Sequence, residues 1–215
     1  MIIIMKRFLY RVERIVSKIA VDNLMLVIIG AMGIVFLAEL LVPELSMLLY
    51  FDRSLILSGQ IWRVFTFLFM YDGGGVLYFL LFAYFYWWIG SSLEGYWGKT
   101  RFCTYYYVGI LSIILSGFIA GYSTNTYLNL SLFFAFAMLD PNHEILLFFF
   151  LPIKIKWIAW LDAAYFVVMF FLSNFAGKLA IIAAFLNFFL FFYDDIMRRI
   201  KLFIMDMKYR MRRDK

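Results

Sequence analysis

Leu-Met-Leu-Val-Ile-Ile-Gly-Ala-Met-Gly-Ile-Val-Phe-Leu-Ala-Glu-Leu-Leu, at residues 24–41, is the stretch of sequence that determines the fold class. It contains one charged residue, Glu39, and Pro43 follows its end. As a helix it would rise about 27 Å at 1.5 Å per residue, which is close to the hydrocarbon thickness of a bilayer, about 30 Å. The stretch is therefore predicted to cross a membrane.

The composition of the whole chain extends this pattern. Of the 215 residues, 66% are hydrophobic, 22% are aromatic and 16% are charged. Soluble globular domains are usually about 45–50% apolar and about 25% charged. An ordinary soluble enzyme, a disordered chain and a secreted disulfide scaffold are therefore excluded. At about 20 residues a span, the chain has room for about five to seven spans and no typical soluble domain.

Six apolar segments are predicted to form transmembrane helices. They lie at 24–41, 76–93, 104–121, 127–139, 158–171 and 177–192. The fourth segment is too short to cross the bilayer as a helix, so we expect its neighbours to enclose it. Residues 42–75 are too polar to span and too apolar for a free linker, and we expect a structured loop at the interface. Residues 144–157 are also expected to be interfacial.

Both ends of the chain are predicted to be amphipathic helices on the membrane surface. At the N-terminus, a basic face and an apolar face alternate at helical spacing. Their members are Arg7, Arg11, Arg14 and Lys18 on one side and Phe8, Val12, Ile15 and Ile19 on the other. The predicted division is an interfacial helix at 1–22, a six-span membrane domain at 23–193 and a basic cytoplasmic tail at 194–215.

The distribution of basic residues predicts the orientation. In the six-span arrangement, 17 of the 20 Lys and Arg residues fall on the side of the two termini, and the exceptions are Arg53, Arg63 and Lys178. Because cytoplasmic loops are enriched in Lys and Arg, both termini are predicted to be cytoplasmic. The membrane would be a bacterial inner membrane or the endoplasmic reticulum. The net charge of +6 is attributed to anionic lipid rather than to nucleic acid.

The residues that most often bind metals are scarce. Cys103 is the single cysteine and His143 the single histidine. An intramolecular disulfide and a cysteine metal site are therefore excluded, as is most zinc chemistry. No metal and no cofactor are expected.

Three motifs, in order along the chain, resemble those of the rhomboid superfamily. Residues 59–69, Gly-Gln-Ile-Trp-Arg-Val-Phe-Thr-Phe-Leu-Phe, resemble the Trp-Arg motif, most closely its Derlin version, with Gln60, Trp62, Arg63 and Thr66 at the matching positions. The pattern at the end of rhomboid span two is matched by Gly90, Leu93, Glu94, Trp97 and Gly98. Residues 135–141 and 152–157 resemble the exit from span four. The resemblance implies an all-α membrane protein: a six-transmembrane-helix rhomboid-like bundle with an interfacial loop after the first span and amphipathic terminal helices.

The resemblance also implies that the family's catalytic residues are missing. Rhomboid proteases use a serine at the start of span four, a histidine on span six and a His-x-x-x-Asn pair on span two. The matching positions here are Thr126 on span four and Tyr78 and Phe82 on span two, and residues 177–192 contain no histidine. The chain thus resembles a catalytically inactive, Derlin-like pseudoprotease, for which no catalytic residue is expected.

Other polar residues leave alternatives open. Ser131 is a candidate nucleophile, but twelve residues of helix would place it about 18 Å from His143, so a role in helix packing is favoured. Lys178 as a base is the remaining enzyme hypothesis. Asn187 is expected to make a hydrogen bond inside the bundle, and Glu39 and Asp162 are expected to be solvated at the interface.

Small residues predict close packing of the helices. They form a GxxxG step on span three and small faces on spans four and six. These residues are Gly117 and Gly121, then Ser131 and Ala135, then Ala176, Ala180 and Ala184.

The expected function is binding of transmembrane segments of client proteins, in membrane protein quality control or trafficking, without peptide-bond cleavage. Trp62 would anchor the loop at headgroup depth, and Arg63 would pair with phosphate or backbone carbonyls. The basic tail would recruit a cytoplasmic partner or adhere to anionic lipid. An intramembrane serine protease with a rearranged active site and a small membrane transporter remain as alternatives.

Overall fold

The structure is a computed structural model that describes residues 2–147 and 151–213. The chain is mostly helical, at 78%. The helices are α1 (Ile2–Val16), α2 (Leu24–Leu41), α3 (Leu45–Leu49), α4 (Arg53–Leu57), α5 (Arg63–Thr66), α6 (Val76–Trp97), α7 (Lys99–Ala120), α8 (Thr126–Leu139), α9 (Ile155–Leu172) and α10 (Phe175–Arg213). The strands are β1 (Phe51–Asp52), β2 (Tyr122–Ser123), β3 (Glu144–Leu147) and β4 (Leu151–Lys154), and a 3₁₀ turn follows α5 at Phe67–Phe69.

Among the described residues, five helices are long and apolar enough to cross a membrane. They are α2, α6, α7, α9 and the part of α10 at Phe175–Arg198. Each overlaps one of the predicted spans. The prediction of a multi-pass helical membrane protein is therefore confirmed at the level of helix length and composition, and we treat the chain as an integral membrane protein.

Helix α8 is the short apolar helix, with 14 residues. More than half of its side chains are buried, and it contacts α6, α7, α9 and α10. The expectation that its neighbours enclose it agrees with this packing. Because those helices surround it, α8 does not need the length of a lipid-exposed span.

The loop at 42–75 is folded, as expected, and it is fastened to the turn between α7 and α8. Strand β1 pairs antiparallel with β2, with Phe51 opposite Ser123. Phe51 is fully buried and lies against α7, where a Cβ on Gly117 would lie 2.8 Å from its ring. The small residue at Gly117 thus permits close approach of a loop rather than of a second helix.

Residues 144–157, expected to be interfacial, contain two strands that were not predicted. Strands β3 and β4 form an antiparallel hairpin in which Glu144 pairs with Lys154, and their side chains form an ion pair of 3.9 Å. Helix α9 then begins at Ile155. Pro152 is compatible with this hairpin because both strands of a two-stranded sheet are edges, where a missing N–H is tolerated.

The helix is not interrupted at the predicted boundary between the membrane domain and the tail, at residues 193 and 194. Helix α10 runs through it without interruption over 39 residues. No glycine or proline occurs between Lys178 and Arg213, so the backbone has no residue that would end the helix. The change from apolar to charged composition therefore occurs within one helix.

The other small residues that were predicted to pack between helices differ in their burial and in their place in the helix. Gly121 does not belong to a packing face, because it ends α7 with a φ of 92° and no atom lies within 4 Å of its Cβ position. A left-handed backbone at this position favours glycine. Ser131, Ala135, Ala180 and Ala184 are buried, whereas Ala176 is partly exposed.

Candidate functional site

The Trp-Arg segment binds the free carbonyl groups at the end of α3. A helix leaves its last carbonyls without intrahelical partners, and α3 has only five residues. Trp62 donates its indole N–H to the carbonyl of Leu48 at 3.0 Å, and Thr66 donates its hydroxyl to Leu49 at 2.8 Å. Helix α5 therefore caps α3 from the side.

Arg63 completes this cap. Its side chain is 2% exposed and donates to the carbonyls of Met47 at 2.8 Å and Tyr50 at 2.9 Å. Gln60 accepts a third bond from Nε at 2.7 Å, and the Tyr50 ring lies 4.8 Å from the guanidinium. Of the two partners expected for Arg63, the structure shows backbone carbonyls, and its burial leaves no access for a lipid phosphate. Trp62 is half-exposed.

The second motif shapes the turn between α6 and α7. Gly98 has a φ of 76° and a ψ of 158°, a backbone conformation that is essentially restricted to glycine. Trp97 lies between the two helices and α10, with its ring 5.4 Å from those of Tyr105 and Phe192. The Arg101 guanidinium lies over the Trp97 ring, 5.6 Å from its centroid.

The same motif also joins α6 to α2. Glu94 accepts a hydrogen bond from the backbone N–H of Asn23 at 2.9 Å, at the start of α2. Leu93 is fully buried, and a Cβ on Gly90 would overlap Met25. In the structure, the residues of the first two motifs are therefore structural: each fixes one element against another.

The third set of residues is Tyr78, Phe82 and Thr126, which match the catalytic positions of the family. The structure brings only two of them together. Thr126 and Phe82 line a cavity of about 240 Å³ between α6, α8 and the chain at 70–73. Tyr78 does not line it: its side chain is exposed, one helical turn before Phe82, and it lies against Gly74. Two of the three positions that the resemblance assigns to catalysis therefore line a cavity in this chain.

Asn125 connects two of the segments that form this cavity. Its side-chain N–H groups donate to the carbonyls of Leu68 at 2.8 Å and Met70 at 3.0 Å. These bonds fasten the 3₁₀ turn to the first residues of α8.

A chain of hydroxyl groups runs along the rim of the cavity. Thr126 and Thr124 are hydrogen-bonded at 3.0 Å, and Thr124 donates to the carboxylate of Asp72 at 3.3 Å. Burial, together with the nearby Asp72 carboxylate, raises the pKa of Tyr122. The Asp72 carboxyl group therefore lies at this rim. Chemically, Asp72 could accept a proton from the hydroxyl chain.

Two further polar residues of the cavity were not predicted from the sequence. Asn129 is 5% exposed and Tyr86 is 7% exposed, and both line the cavity. Within residues 2–147 and 151–213, neither side chain makes a polar hydrogen bond. The signal that could have identified Asn129 is its spacing of four residues from Asn125, which places both amides on one face of α8.

Ser131 and His143 are not brought together as a catalytic pair. The Ser131 hydroxyl donates to the carbonyl of Leu128 at 2.7 Å inside α8. His143 lies 3.2 Å from Asp140 and packs on Trp88, with ring centroids 4.9 Å apart. Each polar group therefore has a local structural partner.

Asn187 makes the expected hydrogen bond inside the bundle. Its side-chain N–H donates to the carbonyl of Tyr105 at 3.2 Å. Its oxygen is buried and has no partner among the described residues. This bond links α10 to α7.

Comparison with known proteins identified no relative of this chain. No family model matches the chain, and no curated protein or solved structure is significantly similar to it. The rhomboid resemblance therefore depends on the motifs of this chain alone.

Proposed function

We propose that this chain is a six-span, rhomboid-like pseudoprotease that binds transmembrane segments of client membrane proteins without cleaving them. The observation that carries the proposal is the ordered set of motifs. Gln60, Trp62, Arg63 and Thr66 work as one unit in the loop, while the position matching the family's nucleophile is Thr126. The function would belong to membrane protein quality control or trafficking.

The exposed surface of α9 supports binding of a client helix. In its most apolar stretch, 11% of the residues are buried, against 28% to 50% in the other four long apolar helices. A groove of about 380 Å³ between α9 and α10 is lined by apolar side chains, including Phe170, Phe185 and Leu186. In a bilayer, helices associate through close packing of such surfaces, so this groove is the proposed contact for a client helix.

Photo-crosslinking in proteoliposomes tests this proposal. A photoreactive amino acid is placed at Leu186 in the groove, or at the similarly exposed Leu37 on α2 as the control. Single-span test proteins of known sequence are reconstituted with each variant. We expect crosslinks to an intact test protein from position 186 and few from position 37. Equal crosslinking from both positions, or accumulation of cleaved test protein, would contradict the proposal.

A second candidate function is an intramembrane protease with a rearranged active site. The observation that favours it is the hydrogen-bonded chain from Thr126 through Thr124 to Asp72. Cleavage of test proteins that is abolished by Thr126→Ala or Ser131→Ala would establish this alternative. Cleavage that persists in both variants would indicate a contaminating protease.

The orientation is part of the proposal. Both termini would be cytoplasmic, in a bacterial inner membrane or the endoplasmic reticulum. Because α10 continues without interruption from its apolar part into the basic tail, the tail would extend away from the bundle as a helix. This geometry favours a cytoplasmic partner for the tail over adhesion along the lipid surface.

A further inference from the structure

We infer that the cavity between α6 and α8 binds a small primary alkylammonium group, either free in solution or in the headgroup of an ethanolamine lipid. This site does not depend on the proposed binding of client helices. The inference combines unpaired polar groups, an excess of hydrogen-bond acceptors, uncompensated negative charge and an aromatic wall.

The unpaired polar groups show that the cavity is built for a ligand or water rather than for packing. Asn129 is on α8 and Tyr86 on α6, and both are more than nine-tenths buried. In the part of the chain that the structure describes, the Asn129 amide and the Tyr86 hydroxyl have no hydrogen-bond partner. Buried polar groups are normally paired, so a ligand together with water in the cavity would supply the missing partners.

The cavity offers more acceptors than donors. The N–H groups of Asn125 are occupied by the carbonyls of Leu68 and Met70, which leaves its side-chain oxygen as the free group. Asp72 adds a carboxylate, and Asn129 and Thr126 add further oxygens. A primary ammonium carries three N–H donors and no acceptor, so it would pair with these oxygens and leave the N–H groups of Asn129 to water.

The charge at the rim points to a cation. Asp72 forms no ion pair with a basic side chain among the described residues, and its hydrogen-bond donor is the neutral Thr124. Glu39 is close enough to interact electrostatically with Asp72. One Glu39 oxygen is buried and has no partner within the described ranges. The Asp72 carboxylate therefore lies at the cavity without a basic partner among the described residues, in a chain whose net charge is +6.

The aromatic wall favours an organic cation over a bare metal ion. The rings of Tyr71, Phe82 and Tyr86 follow one another with centroids 5.0 and 4.4 Å apart, and aromatic faces attract ammonium groups. Calcium requires six to eight oxygen ligands. Among the described residues, no group of three or more His, Cys, Asp or Glu side chains could hold a metal.

The size of the cavity is adequate. A water molecule occupies about 30 Å³ of the liquid, and the cavity measures about 240 Å³. An ethylammonium ion or the end of an ethanolamine headgroup fits within it. The cavity extends from residues 70–73, which follow the Trp-Arg loop, to Tyr86, midway along α6, and a soluble or lipid headgroup amine would enter it from the loop side.

Thermal unfolding of the full chain in nanodiscs tests the inference. The nanodiscs contain phosphatidylcholine, whose trimethylated ammonium has no N–H donor, and ethylammonium chloride is compared with sodium chloride at equal ionic strength. We expect ethylammonium to raise the midpoint of unfolding with a saturable dependence on concentration. Equal stabilisation by sodium chloride would overturn the assignment.

Variants of two cavity residues test whether ethylammonium binds in the cavity. Asp72→Asn and Asn129→Leu should each weaken ethylammonium binding about tenfold or more. The control Glu44→Gln removes an exposed carboxylate from the same loop region and should leave the binding unchanged. Because neither cavity variant removes an observed backbone contact, the midpoint without ligand reports whether each still folds. Unchanged binding in both folded cavity variants would overturn the inference.

A second set of nanodiscs distinguishes the two sources of the ammonium group. If the natural ligand is lipid, phosphatidylethanolamine in the disc should raise the midpoint by itself and reduce the response to ethylammonium, and Asp72→Asn should abolish both effects. If the ligand is a soluble amine, the response to ethylammonium should be the same in both lipids. Either result supports the ammonium site, and absence of a response in both lipids would overturn it.

Discussion

At the scale of single residues, Arg63 shows how a charged side chain can be buried in a membrane-associated loop. Its guanidinium has one carboxamide oxygen and two backbone carbonyls as partners. Hydrogen bonds from a charged donor are stronger than neutral ones, and these offset the loss of hydration. The role of Arg63 is therefore to hold the end of α3 against α5.

Replacing Arg63 by lysine should destabilise the loop. Lysine keeps the charge but cannot donate in the planar pattern that reaches both carbonyls and Gln60. We expect Arg63→Lys to lower the free energy of unfolding by about 2 kcal/mol, measured by denaturant titration in detergent with tryptophan fluorescence. The exposed Arg11→Lys should change it by less than about 0.5 kcal/mol. Equal effects in the two variants would show that the carbonyl cap is not stabilising.

Asp52 should make the stability of the loop depend on pH. It caps α4, and hydrogen bonds from the Ser54 hydroxyl and from the N–H groups of Leu55 and Ser54 lower its pKa. Because the pKa is lower in the folded state, the stabilisation is present above the unfolded value of about 3.9. It is lost as the pH falls through the folded value.

The test compares the wild type with Asp52→Asn. The neutral amide should remove the pH dependence of this site, so the wild type should be more stable at pH 6, and the difference should shrink between pH 4 and pH 2. Unfolding is measured in detergent at each pH. Glu44→Gln serves as the control because no side-chain hydrogen bond of Glu44 is present within the described ranges. A difference that does not vary with pH would contradict the role of the charged cap.

At the scale of elements, α7 packs closely on α8 and α10 at Gly109. A Cβ at this position would overlap Leu128 and lie 2.9 Å from the amide nitrogen of Asn187. Since Leu128 and Asn187 are both buried, neither has space to move away. We expect Gly109→Ala to cost about 1–3 kcal/mol through overpacking.

The matched control for this prediction is Gly30→Ala. Gly30 is within α2, and no atom lies within 4 Å of its Cβ position. Alanine is the better helix former by about 1 kcal/mol, so this variant should be as stable as the wild type or more so. Thermal unfolding of both variants in the same detergent gives the comparison. Similar losses in the two would show that the close contact at Gly109 is not the cause.

The helices were more predictable from sequence than the elements between them. Apolar runs bounded by glycine or polar clusters located the spans because lipid requires such runs. The hairpin at β3 and β4 was missed because its apolar residues and Pro152 do not alternate in the way that indicates a strand. The continuity of α10 was missed because Asp194 and Asp195 were taken for the end of a span.

The cavity was harder to predict for a different reason. Asp72, Asn129 and Tyr86 are distant in sequence and meet only because α8 packs against α6 and the 3₁₀ turn. The Trp-Arg segment was identified by its pattern, but the partners of Arg63 depend on the position of α3. Local patterns thus identified the Trp-Arg residues, whereas the partners of Arg63 and the residues of the cavity required the packing of the bundle.

At the scale of the whole molecule, the number of membrane crossings depends on whether α8 crosses. Five helices are long enough to cross, and the sixth, α8, is short and enclosed. The parity of the crossings determines on which side the tail lies. Six crossings place the tail on the side of the N-terminus, opposite the Trp-Arg loop, and concentrate the basic residues there.

Cysteine labelling distinguishes five crossings from six. Cys103 is buried, so it should contribute little background. Ser58→Cys in the loop and Lys201→Cys in the tail both introduce exposed thiols. In sealed, right-side-out vesicles, an impermeant maleimide should label position 58 at once and position 201 only after permeabilisation, while a permeant maleimide should label both. Labelling of both positions from the outside would mean that α8 does not carry the chain across, because five crossings place Lys201 on the same side as Ser58.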